Sequence, residues 1–191
     1  KTCGRALKHT VHLDKVKAEQ FVLPIGKKKT HVIGINPSQI TTEDLAVSLP
    51  PAANYVPTDG YSKVAAVERH HNTGKIGVAV AKGYGIRNGA VASSVSHDSH
   101  NIIVIGDNDR DMALAVDEII RTQGGYTVVE NGEVFETLPL PIMGLMSDAG
   151  FESVNETLGR MIKKAHEMGV PADIEPFITL SFLALPVIPT L

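Results

Sequence analysis

Residues 101–105, Asn-Ile-Ile-Val-Ile, set four aliphatic side chains in succession. An uninterrupted apolar run of this length reads as a strand buried on both faces. The next segment reads as a helix. After Gly106, Asn108 is a good N-cap, and Asp109 and Asp111 put negative charge in the first turn, where the helix dipole favours it. Met112, Val116, Ile119 and Ile120 recur at helical spacing, and Gly124 supplies the stop.

Further strands are expected at Gln20–Leu23, Thr30–Ile35, Leu45–Leu49, Lys63–Glu68, Lys75–Ala81 and Ala90–Ser96. Tyr126–Glu130 and Glu133–Leu138 flank Asn131-Gly132, the strongest short-range hairpin signal. A second helix is expected to start at Ser153, with Glu156 completing a capping box. Its apolar stripe is Val154, Leu158, Met161, Ile162 and Ala165, Glu156 and Arg160 can pair at i,i+4, and Gly169 and Pro171 end it. The order predicts an α/β or α+β fold, a mixed β-sheet with two main helices packed on it. A (β/α)₈ barrel takes ~250 residues, so 191 residues exclude one.

Residues 1–19 carry five Lys/Arg without apolar period and read as a poorly anchored arm or linker to a preceding domain, leaving 20–191 as the domain proper. Lys27–Lys29 reads as a solvated turn rather than a polyanion contact. With 18 Lys+Arg against 21 Asp+Glu, the net charge of −3 gives no reason to expect nucleic acid. No apolar run approaches the ~20 residues of a membrane span, and Thr179–Ile188, broken by Pro186, suits a buried core segment. The first residues lack a signal peptide's apolar stretch, and the single Cys3 cannot make an internal disulfide, so a cytoplasmic setting is expected.

Histidine carries the chemical signal. Four of the eight fall in two clusters, His70-His71 within Glu68–Asn72 and His97/His100 within Ser96–Asn101. Imidazoles at a strand mouth can exchange protons near neutral pH or bind a transition metal, and Asp98 between two of them can accept an imidazole N–H. A hydrogen-bonded turn capped by Ser, Asp and Asn is the competing reading, and both stay open. His9 and His12 read as solvated. Gly83-Tyr-Gly85-Ile-Arg-Asn-Gly89 misses GxGxxG and reads as a tight turn; Gly106–Asp109 reads as helix capping, because its carboxylates would repel a phosphate.

The strings Glu68–Gly74 (ERHHNTG), Ala92–Asn101 (ASSVSHDSHN), Asp109–Ala113, Leu138–Asp148 and Pro176–Pro189 resemble, in the same order, the C-terminal domain of bacterial adenine deaminase, of the amidohydrolase superfamily. The resemblance implies hydrolysis of adenine to hypoxanthine and ammonia in purine salvage. It also implies a divalent metal site (manganese, iron or zinc) in a preceding amidohydrolase barrel domain. The family's His-x-His is absent here, since no two histidines stand two apart, so the chain is expected to be a C-terminal part that is inactive alone. His97, Asp98 and His100 are the catalytic candidates, and His70, His71 and Asn101 the substrate-binding ones; they would converge on the barrel's mouth or hold a metal of their own. The alternatives are a structural or homo-oligomerisation domain using Phe177–Ile188 as core or interface, and a stand-alone metal- or purine-binding module.

Overall fold

The computed structural model describes residue 4 and residues 7–185; the Cys3 reading and residues 186–188 of the apolar C-terminal segment lie outside them. Eight strands form one sheet: β1 (Thr30–Ile35), β2 (Thr42–Val47), β3 (Tyr61–Val67), β4 (Ile76–Lys82), β5 (Gly89–Ser93), β6 (Ile102–Gly106), β7 (Gly125–Glu130) and β8 (Glu133–Pro139). Their order is β2-β1-β4-β3-β6-β5-β7-β8. The β1–β4 pairing is parallel and the others antiparallel, so the sheet is mixed and open.

The central strand β6 is buried along its whole length. Ile102 and Val104 pack with Met112, Val116 and Ile119 of α1 (Asp109–Thr122) on one face. Ile103 and Ile105 pack on the other face with Met161 and Ala165 of α2 (Phe151–Glu167) and Phe177 and Leu180 of α3 (Pro176–Phe182). The fully apolar run is thus what a strand between two helical layers requires. Asn108 caps α1 by accepting the Asp111 N–H at 2.9 Å. Asn131 (φ 52°) and Gly132 (φ 82°) both adopt the left-handed backbone that a two-residue hairpin needs.

Several expectations are corrected. Ala18–Phe21 is a 3-10 turn; the extended stretch begins after it, where Leu23 O accepts the Tyr55 N–H and Ile25 bridges Ala52. Helix α2 starts at Phe151 behind Gly150, two residues before Ser153, so the capping box does not form. The turn before it, with Ala149 N–H on Ser147 Oγ, sets the earlier entry. Arg160 pairs with Glu136 of β8 at 2.5 Å instead of Glu156, in a forked contact that uses both Nε and Nη2 of the guanidinium. The left-handed residue closing α1 is Gln123 (φ 59°). Gly124 follows, and a Cβ there would lie 2.3 Å from Gly144 Cα.

The arm is anchored. Val11 and Val16 are buried in the α1-side core, and the His12 N–H donates to Arg69 O at 2.7 Å. The Val16 N–H reaches Asp117 Oδ1 at 3.0 Å. Toward the end of the described residues, Phe177, Leu180, Leu183 and Leu185 are buried, while Ile178 of the same segment is exposed. No described helix is long and apolar enough to cross a membrane.

Candidate functional site

The sheet register brings the histidine strings together. Val67 opposes Ile102 and Ser93 opposes Ile103, so the loops 68–75 and 94–101 leave the same end of the sheet. A hydrogen bond between His70 Nε2 and Ser99 O (2.8 Å) ties them; a carbonyl only accepts, so Nε2 carries the hydrogen. The His97 and His100 rings meet edge to face, 5.6 Å between centroids. His97 also stacks on Phe182 at 4.7 Å, and its backbone N–H donates to Ser181 O, so the end of α3 props this ring.

Burial pulls His100 below the ordinary histidine range, helped by His97, the Arg69 guanidinium and His70 and opposed by Asp98. His100 therefore stays neutral at neutral pH, and its buried Nδ1 has no partner among the described residues. Ser96 Oγ and Asn101 Oδ1 in the same loop are also unpartnered. Asp98 is exposed and acts on His100 through charge; no hydrogen bond joins it to either ring. His71 is exposed, 6.3 Å from His70. A neutral, partly buried imidazole beside a second one can accept and return a proton. Among the described residues no group of three His, Cys, Asp or Glu side chains is placed to hold a metal.

Glu68 organises the first loop. Burial would raise its carboxyl, but the backbone N–H groups of Thr73, His70 and His71 and the Thr73 hydroxyl outweigh it and bring it down to about 2. Oε1 accepts from His70 N and His71 N, Oε2 from Thr73 N and Oγ1. A carboxyl depressed below its unfolded value of roughly 4.3 contributes fully above that value and loses its contribution as pH falls through about 2. Amide hydrogen exchange should show His70, His71 and Thr73 protected at pH 5 and released across that acid window, and unprotected throughout in Glu68→Gln.

The sequence alone assigns no role to Arg69, Thr10 or Gly144, which converge on the second loop. Arg69 Nε donates to His100 O, Nη1 to Thr10 O and Oγ1, and Nη2 to Met143 O. The signal available is a lone arginine inside ERHHN directly after an apolar strand. A separate cleft of 510 Å³ opens at the opposite end of the sheet, near Gly83, Arg87 and Asp107, and contains no histidine. Asp107 there is occupied by the N–H groups of Asn88 and Gly89, which agrees with the capping and tight-turn readings.

Residues 39–191 match the family described as adenine deaminase C-terminal domain. The chain is 50% identical over 190 residues to an adenine deaminase of Desulfitobacterium hafniense, covering 99% of this chain and 33% of that protein. It is 48% identical over 189 residues to one of Nitratidesulfovibrio vulgaris (97% and 33%), and 42% identical over 186 residues to one of Bacillus subtilis (93% and 32%). The chain thus spans about a third of the length of the curated relatives it matches.

Proposed function

The chain belongs to the adenine deaminase C-terminal domain family, and we propose on that basis that it serves as the C-terminal part of an enzyme hydrolysing adenine to hypoxanthine and ammonia. The divalent metal (manganese, iron or zinc) would sit in a preceding amidohydrolase barrel domain, where such an ion lowers the pKa of bound water. No step is assigned to this chain through the metal, because no donor set for it is present among the described residues.

The observation that carries the reading is the convergence of two histidine loops on the edge where the arm of residues 7–14 also runs. That edge is then the face turned toward the preceding domain's substrate mouth. His97 and His100 are assigned to proton exchange: attack of water on the amine-bearing carbon releases one proton, and departing ammonia takes one up. A neutral imidazole suits both transfers. Asp98 biases the charge on His100, and His70, His71 and Asn101 are assigned to contacts with the purine. The setting assigned is purine salvage in the cytoplasm, consistent with a single cysteine.

The test fuses residues 1–191 behind the amino-terminal two thirds of the Desulfitobacterium hafniense adenine deaminase, replacing its matching third. Ammonia release from adenine is expected from the fusion and not from the 191-residue chain alone. Turnover by the isolated chain, or an equally active enzyme with the third simply deleted, would overturn the assignment.

A further inference from the structure

Arg69 is 2% exposed, and burial pulls its guanidinium below the ordinary arginine range. None of the ion pairs among the described residues includes it. Its donors go instead to neutral acceptors on three separate segments: His100 O in the histidine loop, Thr10 O (3.2 Å) and Oγ1 (3.3 Å) in the arm, and Met143 O (3.1 Å) after β8. Gly144 makes the seat. A Cβ on it would stand 2.7 Å from Nη1 and 3.0 Å from Cζ. Ser94 Oγ donates to Gly144 O at 2.6 Å, which ties that seat back to the histidine loop.

Burying a guanidinium without a carboxylate costs free energy that an apolar side chain of similar length does not incur. Within the loop the His100 N–H reaches Ser96 O at 2.6 Å, but Ser96 Oγ, His100 Nδ1 and Asn101 Oδ1 make no side-chain hydrogen bond that would tie it to the rest of the fold. A planar fork can reach three carbonyl-bearing segments at once, which a lysine ammonium on its flexible stem does not reproduce.

We propose that Arg69 is the positioning residue of the histidine edge: it locks the loop bearing His97 and His100 to the N-terminal arm and to the Met143–Gly144 turn. Placement of the two rings is thereby set by the same segment that would join a preceding domain. This rests on the reading of the edge as part of the adenine site, but the clamp is tested apart from it.

The 191-residue chain carries its own two-sided core, so the clamp is read there by NMR of the histidine rings. In the parent, the stack on Phe182 at 4.7 Å should give His97 an upfield ring-current shift, and His100 should titrate below the ordinary range. Arg69→Lys keeps a cation; Gly144→Ala keeps the arginine but crowds its seat and strains a backbone held at φ 71°, so Arg69→Lys isolates the fork. Both are expected to diminish the His97 ring-current shift and to move the His100 titration up toward about 6.5, with amide spectra elsewhere unchanged. Folded variants of both kinds with His97 and His100 signals identical to the parent would overturn the clamp.

In the fused enzyme the same substitutions should lower kcat by about 100-fold while KM for adenine moves little, as a displaced catalytic group does. A kcat indifferent to His97→Ala and His100→Ala overturns the reading of the edge. Histidine signals indifferent to Arg69→Lys overturn the clamp.

Discussion

Lys63→Met lowers the unfolding free energy by about 3–5 kcal/mol. Lys63 sits in the central β3 strand with 1% exposure, on the face that otherwise presents Ala65 and Val67 to α1. Its ammonium donates to Asp109 Oδ1 at 2.6 Å, Asn54 Oδ1 at 2.9 Å and Phe21 O at 3.0 Å. One cation therefore holds the first residue of α1, the loop before β3 and the 3-10 turn of the N-terminal segment. Removing it strands the Asp109 carboxylate, 16% exposed, with Asn54 Nδ2 as its remaining side-chain partner at 2.6 Å. The magnitude comes from that uncompensated charge rather than from the pair's net worth, which is small. The double variant Lys63→Met/Asp109→Leu should therefore be more stable than Lys63→Met alone. Urea unfolding measures both; a single-variant loss under about 1 kcal/mol would mean that water reaches the stranded Asp109 carboxylate and solvates it.

What the sequence disclosed and what it withheld divide along one physical line. Strand β6, the β7–β8 hairpin and helix α1 are coded by local pattern: an apolar run, a left-handed Asn-Gly pair, an Asn cap with a helical stripe. Each such signal is complete within a dozen residues. The features hidden from it are set by partners far along the chain. Arg160 answers to Glu136, 24 residues away, and the arm answers to Arg69, Asp117 and Gln123. Helix α3 reads in the sequence only as an apolar core segment. Its helical form depends on Pro176 at the first turn and on Glu175, whose carboxylate accepts the Ile178 N–H.

The site obeys the same division. The histidine strings are visible because paired imidazoles beside strands are uncommon, and the register of β3, β5 and β6 turns two distant strings into one edge. Arg69 is not visible as a clamp, because its three acceptor segments offer backbone carbonyls, which leave no trace in residue type. Only its position after Val67, buried where an arginine is ordinarily exposed, marks it.

His100→Ala in the fused enzyme is expected to lower kcat/KM for adenine by about 10²–10⁴-fold, the range for a positioned general acid–base. The reason lies in the state of the ring. Burial, His97, Arg69 and His70 all disfavour its protonated form, and Asp98 only partly offsets them. A histidine so placed is already deprotonated at neutral pH, its Nδ1 buried and without a hydrogen-bond partner among the described residues. Its folded pKa lies below the unfolded value of about 6.5, so its base form persists as pH falls below 6.5. Activity should accordingly decline only as pH drops further, through the lowered value. Arg69→Lys, by freeing and hydrating the loop, should shift that acidic limb to higher pH. His97→Ala should cost less than His100→Ala, because His97 is held by Phe182 and the Ser181 carbonyl and contributes to His100 partly through its charge. His71→Ala, at an exposed ring, should cost least of the three. Steady-state rates across pH 5–8 separate these cases. If His100→Ala and His97→Ala both stay within twofold of the parent at every pH, the histidine edge lies outside the adenine site, and its neutral imidazole reflects burial beneath Arg69 and nothing more.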